Sequence, residues 1–484
     1  MLRGWALLVV VVLVTGVAVW VTSPRLALET PSLVDDWSAI SRSSDQLANA
    51  IRLSNPEEQR FRPGWIAWNY LQWNTLDAPG GDVGPNVWNI LRILVLVAGL
   101  TLLTALALPI PRGRAEALLQ AALAGAPALL VVTVPKFAVD LARFGPQEPL
   151  LLGAMALGGS LLVIAGARLL DGSRAAPIAA LAIPGALLWA LGAYHKESSL
   201  AALPLIAAVL YLARDRLRGW RTLDTRRRGA LAALGLVVFL PLVHVAIESV
   251  RIAARGDLVY GAEVDAGQGI WRGLEELYDW AHEALPWKAR VFAIGVLVVF
   301  ALASVIRRRL DPIALGALAS AGLTLVFAAQ SEAVAFRYYL PAFGLVAVAF
   351  ALSVARLPIV LQVAGLLAIA YVLLPPPGAR DEVERWADVE KEQGQVVRRI
   401  AELEASGCPV QTVGLLEEAE LALPVLLDVE RVRDGSVGCA GRAYFAVGPH
   451  AEGEAFASAC QPDTMILVRQ ADEAFGLYRC IALA

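Results

Sequence analysis

The chain has 484 residues, of which 57% are hydrophobic and 18% charged, with a formal net charge of −3. Soluble globular chains run at about 45–50% apolar and about 25% charged residues, so this composition excludes an ordinary soluble enzyme, a disordered chain and a small disulfide scaffold. The slightly acidic balance argues against nucleic acid as a partner.

The apolar surplus lies in blocks of about 20 residues, the length that crosses a bilayer core as a helix. The first covers residues 5–21 after Arg3. No small-residue cleavage site follows it cleanly, so it reads as an uncleaved first span and not a signal peptide. Further blocks follow at 89–110, 117–136, 149–167, 178–194, 199–213, 229–250, 291–306, 313–329, 340–355 and 359–375. The expected fold class is therefore mainly α: a polytopic membrane protein with about 11 transmembrane helices, followed by a small C-terminal extracytoplasmic α/β domain. The expected domains are 1–375, with a first outer loop over 22–88, and 376–484.

Orientation follows from arginine. The short connections at Arg112, Arg168, Arg214 to Arg228, Arg307 to Arg309 and Arg356 are densely basic, whereas the long connections are not. The positive-inside rule then puts the short loops and the N-terminus in the cytoplasm. An odd span count puts the C-terminal domain outside.

The first outer loop is the most informative stretch. Asp35 and Asp36 stand shortly after the first span, and Ile40, Leu47, Ile51 and Leu53 fit one face of a short helix. Residues 60–73 then bring Arg62-Pro63 together with Trp65, Trp68, Tyr70 and Trp73. This pattern predicts a helix lying at the membrane interface, where aromatic rings sit at headgroup depth. Taken alone, the paired acid is a solvated helix start, and the aromatic cluster is a membrane anchor.

Their order along the chain resembles the C-type-fold membrane glycosyltransferases, closest to the protein O-mannosyltransferases and bacterial relatives that use polyprenyl-phosphate sugars. The resemblance covers roughly residues 1–345, and its motifs are short. It matches the family's paired acid to Asp35-Asp36 and its Arg-Pro to Arg62-Pro63. It implies an inverting hexosyl- or pentosyltransferase of the cell envelope. The partners would be a polyprenyl-phosphate sugar donor, membrane lipids, and a glycan, lipid or protein acceptor. Asp35 would be the general base and Asp36 its neighbour in the loop.

Three more polar clusters fall where spans meet the same face. Glu148 opens the fourth block, His195-Lys196-Glu197 closes the fifth, and Arg337-Tyr338 opens the tenth. Ionisable groups at bilayer depth are costly, and are paired or functional. Lys196 is one of four lysines (with Lys136, Lys288 and Lys391) among 41 Lys and Arg residues. Snorkelling explains Lys196 and Glu197 without function, a helix N-terminus explains Glu148, and His195 alone reads as structural. In the resembled family an acid, a Lys-Glu and an Arg-Tyr recur around the cleft. Glu148, Glu197, His195 and Tyr338 are accordingly assigned to the cleft or acceptor side. Lys196, Arg337 and Arg62 are assigned to the donor phosphate, where cations stabilise charge on the leaving group. Arg42, Arg52 and Arg60 are further candidates.

No cofactor is called for. The first loop lacks an Asp-x-Asp triplet, which argues against a metal; a divalent cation stays an open alternative. In the tail, residues 381–405 read as an amphipathic helix, and 411–415, 443–447, 465–469 and 477–483 read as strands. Cys408, Cys439, Cys460 and Cys480 have no CxxC spacing, so zinc is disfavoured. Their even number on the outer side points to disulfide bonds, in any of three pairings. The rival function is a transporter or flippase. Against it, no pair of Gly/Pro-broken spans occupies matching halves.

Overall fold

The computed structural model describes residues 2–26, 62–74, 84–143, 147–254, 285–329, 336–373 and 378–388, a few positions between 275 and 282 and at 391, and the backbone of four short strands in the tail. Among the described residues, thirteen α-helices follow in chain order: α1 Leu2–Leu26, α2 Pro63–Asn74, α3 Gly84–Ala107, α4 Arg114–Thr133, α5 Pro135–Ala142, α6 Glu148–Leu170, α7 Ala175–Ala193, α8 Leu203–Arg218, α9 Thr225–Ala254, α10 Trp287–Arg307, α11 Pro312–Ala329, α12 Tyr339–Val354 and α13 Ile359–Leu373. A further helix, α14, covers 378–388.

Each apolar block of the sequence is helical over most of its described residues, and the helices differ in length. Among the described residues, eight helical stretches are long and apolar enough to cross a membrane. The blocks at 313–329 and 340–355 form shorter apolar helices. The block at 199–213 is split by a 3-10 turn over Glu197–Ala202, and α8 behind it ends in Arg214, Asp215, Arg216 and Arg218. Apolar content alone does not separate a full crossing from a buried partial one.

α12 makes the point. Nearly all its side chains are buried, as in a helix apolar all round. It forms the axis of the main core, which also takes Leu96 and Leu100 from α3, Leu130 and Val131 from α4, Phe292 from α10 and Ala314 from α11. The outward faces stay apolar: Leu187, Ile183, Val298, Ile294 and Val360 are all more than half exposed. Such a belt is unfavourable in water and natural in lipid. The chain is a multi-pass membrane protein.

Local chemistry sets the breaks that matter for the site. Pro135 forces Val134 into extended backbone (φ −74°, ψ 123°), which ends α4, and then starts α5. At the end of α7, Lys196 is fully extended (φ −162°, ψ 154°) before the 3-10 turn. These breaks lie at the bundle end opposite the short basic connections.

In the tail, β1 Val410–Val413, β2 Arg442–Val447, β3 Gln461–Val468 and β4 Glu473–Ile481 make a four-stranded sheet in the order β1-β2-β4-β3. The β1–β2 pair is parallel and the other two pairs are antiparallel. The sheet overlaps the four apolar runs read from the sequence. The side chains of Cys408, Cys439, Cys460 and Cys480 lie outside the described residues, as does most of 389–460.

Candidate active site

α2 is placed by its first turn. Gly64 donates its N–H to the Tyr194 carbonyl at 2.8 Å. A Cβ at Gly64 would stand 2.5 Å from the Leu191 carbonyl oxygen, so only glycine permits this approach. α2 therefore seats against the end of α7 and buries Trp65 and Trp68, at 7% and 6% exposure. Trp68 meets Trp88 edge-on at 4.9 Å. Two rings of the aromatic stretch thus look into protein, and Asn69 and Gln72 are buried with them.

Arg62, just before α2, is thereby held beside the 3-10 turn. Its Nε lies 3.3 Å from both Glu197 carboxylate oxygens, and its Nη2 lies 3.1 Å from Oε2. Lys196 points the other way. Its Nζ donates to Glu148 Oε1 at 2.5 Å and sits 3.7 Å above the Tyr338 ring. Arg337 Nε is 3.9 Å from Glu148 Oε2. Gln147, with its amide turned to satisfy its neighbours, donates to the His195 carbonyl at 3.3 Å and accepts from Arg62 Nη1 at 3.2 Å. Glu148, His195, Lys196, Glu197, Arg62, Arg337 and Tyr338 thus form one cluster, joining four separate chain segments. Asp35 and Asp36 lie outside the described residues, as do Arg42, Arg52 and Arg60.

Residues not singled out in the sequence complete the cluster. Arg92, in the first turns of α3, is 1% exposed and donates through Nη2 to the Asp140 carbonyl at 3.2 Å, the Leu141 carbonyl at 3.0 Å and the Arg143 carbonyl. It caps the C-terminus of α5, where a cation suits the negative end of the helix. Asn89 adds a bond to the Ala142 carbonyl at 3.1 Å. α5 in turn delivers Asp140, with Arg143 just beyond it. An arginine inside an apolar block was the available signal for Arg92; nothing local marked Asp140.

The electrostatics follow from burial among cations. Burial, together with Arg92, Arg62 and Lys196, pushes the His195 imidazole down to about 3, so it is neutral near pH 7. Burial raises Asp140 to about 7 against the pull of Arg143. Burial also works to raise the Tyr338 phenol, but Lys196 and Arg337 outweigh it and bring it down to about 7. For Glu197, Arg62 overcomes burial and keeps the carboxyl below its ordinary value. Among the described residues the cations Arg62, Arg92, Arg143, Lys196 and Arg337 outnumber the carboxyl groups of Glu148, Glu197 and Asp140. Such a site favours an anion. Among them, too, no group of three or more His, Cys, Asp or Glu side chains converges as a metal site would need.

No protein-family model matches the chain, and no curated protein is similar to it in sequence. Among solved structures, it is similar to ArnT from Cupriavidus metallidurans bound to undecaprenyl phosphate. That likeness has 15% identity and a TM-score of 0.50, and covers 99% of this chain and 98% of that one. It is also similar to the oligosaccharyltransferase of Archaeoglobus fulgidus in the apo form, at 13% identity and a TM-score of 0.48, over 87% of this chain and 63% of that one. The same coverage and identity, with a TM-score of 0.45, hold for archaeal oligosaccharyltransferase AglB from Archaeoglobus fulgidus in complex with an inhibitory peptide and a dolichol-phosphate. The end-to-end likeness to ArnT gives the class: a polytopic membrane protein with the C-type glycosyltransferase fold.

Proposed function

We propose that this protein transfers a sugar from a polyprenyl-phosphate-linked donor to an acceptor hydroxyl on a glycan, lipid or protein at the outer face of the membrane. The observation that carries the reading is Lys196. Glu148 takes one of its N–H groups and the Tyr338 ring faces its charge, so a further N–H is left for a ligand oxygen. Arg337 and Arg62 stand beside it. ArnT, whose fold this chain shares, is bound to undecaprenyl phosphate, and a lipid phosphate suits a cationic cluster at the end of a membrane bundle.

The donor phosphate would lie on Lys196, Arg337 and Arg62. Asp35 would take the acceptor's proton as the new C–O bond forms at the anomeric carbon. The old bond to phosphate oxygen breaks with its electron pair, and the cations stabilise the charge left there. Attack opposite the leaving phosphate inverts the anomeric centre. The cytoplasmic N-terminus, the outer tail domain over 376–484 and its disulfides belong to the same proposal. The transporter reading is weaker because the buried cluster of Glu148, His195 and Lys196 lies at one end of the bundle.

The test is transfer by purified protein in lipid nanodiscs, from a panel of undecaprenyl-phosphate-linked hexoses and pentoses to a water-soluble hydroxyl acceptor. Release of undecaprenyl phosphate with an inverted glycosidic product is expected from at least one donor. Transbilayer movement of the donors without any product would favour the transporter.

A further inference from the structure

α5 is held from three sides. Phe137 and Leu141 enter the main core, with Phe137 5.7 Å from the Phe343 ring. Arg92 and Asn89 hold its C-terminal carbonyls. Its remaining face, Ala138, Val139 and Ala142, packs with Val17 and Val21 of α1 and with Ala379, Val383 and Trp386 of α14.

The contact with α14 is also polar and specific. Glu382 accepts from Lys136 Nζ at 2.8 Å and from Trp386 Nε1 at 3.2 Å. Lys136 and Arg143, at the two ends of α5, both lie over the Trp386 ring, at 5.7 and 5.4 Å from its centroid. Arg380 donates to the Trp20 carbonyl at 2.8 Å and to Ser23 Oγ at 3.0 Å, which ties α14 to α1 as well. Hence the first helix after the last apolar block clasps the short helix that carries Asp140, which is near enough to Glu148 to feel its charge, and that ends at Arg143.

We propose that α14 is a positioning element for the candidate site, with Lys136 and Trp386 as positioning residues that act through α5 on Asp140 and Arg143. The C-terminal segment then does more than cover the bundle: it fixes one wall of the site. The ion pair is partly buried, so its loss is felt more than that of an exposed pair. A shift of about 1 Å in a supporting element costs up to about 10²-fold in rate. The kinetic part of the proposal rests on the glycosyltransferase reading; the structural part does not.

The experiment compares full-length wild type with Trp386→Ala, Lys136→Met, Lys136→Arg and, as a control on the exposed side of α14, Glu384→Gln. Amide hydrogen exchange is followed over 134–143 and, further on, over Gln147 and 195–199. Trp386→Ala and Lys136→Met should speed exchange in both regions by about tenfold, while Lys136→Arg and Glu384→Gln stay near wild type. In the transfer assay the first two should lower kcat by about tenfold, with the donor KM within a factor of about two. Unchanged exchange over 134–143, or a change that stops there, would overturn the proposal whatever the protein catalyses. Faster exchange in both regions with an unchanged kcat would overturn it too. If wild type transfers nothing, the functional reading falls, and the exchange pattern alone decides whether α14 orders the site.

Discussion

Glu148 and Lys196 should be coupled in stability and opposed in ligand affinity. At 2.5 Å, the gross attraction at an effective dielectric of about 20 is about 6–7 kcal/mol, most of it offset by desolvation. Breaking a buried pair by removing one partner costs about 3–5 kcal/mol, because the other charge is stranded. Neither partner is stranded fully here. Glu148 would keep Arg337 at 3.9 Å, and Lys196 would keep the Tyr338 face at 3.7 Å, a contact worth about 0.5–2 kcal/mol. Lys196→Met and Glu148→Gln should therefore each cost about 2–3 kcal/mol. The double variant leaves neither member of the pair behind, though Arg337 loses its acid as in Glu148→Gln alone, and should cost less than their sum by about 2 kcal/mol. Thermal unfolding in one detergent, followed by tryptophan fluorescence, reads the cycle. Binding of undecaprenyl phosphate reads the other half. Lys196→Met loses a charge-assisted bond and should bind about 10- to 100-fold more weakly, whereas Glu148→Gln releases the ammonium and should bind as well as wild type or better. Additive losses in stability, or affinities that fall together, would refute the reasoning.

Other expectations are simpler. Asp35→Asn should express and bind donor but turn over about 10²–10⁴ times more slowly, with Asp36→Asn losing less; near-normal turnover removes Asp35 as base. His195 has a folded-state value of about 3 against 6.5 for the free side chain, so below pH 6.5 the unfolded chain binds a proton that the native state refuses. Stability should fall as the pH drops from 6.5 toward 3, and the slope should be shallower in His195→Gln, as read by unfolding temperature at successive pH values. The tail cysteines should resist a membrane-impermeant thiol reagent on intact cells until a reductant is added; labelling of all four without reductant would contradict paired bonds.

Much of this architecture is written in the sequence because a bilayer demands long apolar helices, and interruptions stand out. Glu148, Lys196 and Arg337 were visible for that reason: each sits where an apolar block starts or stops, whereas Arg62 was marked by the Arg-Pro pair ahead of the aromatic stretch. Arg92 was hidden inside such a block, and its partners on α5 are 48 to 51 residues away, so no local pattern joins them. The tryptophans of α2 show a different limit. An aromatic face announces an apolar surface, yet only the close approach at Gly64 tells whether that surface meets lipid or protein. The span count shows a third. α12 is as apolar as a spanning helix, and its burial depends on neighbours from α3, α4, α10 and α11.

The most direct measurement is mass spectrometry of lipid-linked sugars and surface glycans in a deletion strain, complemented with wild type or with Lys196→Met. A glycosyltransferase of this kind predicts that one polyprenyl-phosphate sugar accumulates while one surface glycan loses a residue, and that wild type, but not Lys196→Met, restores both. Unchanged lipid-linked sugars and an intact glycan profile in the deletion strain would contradict it.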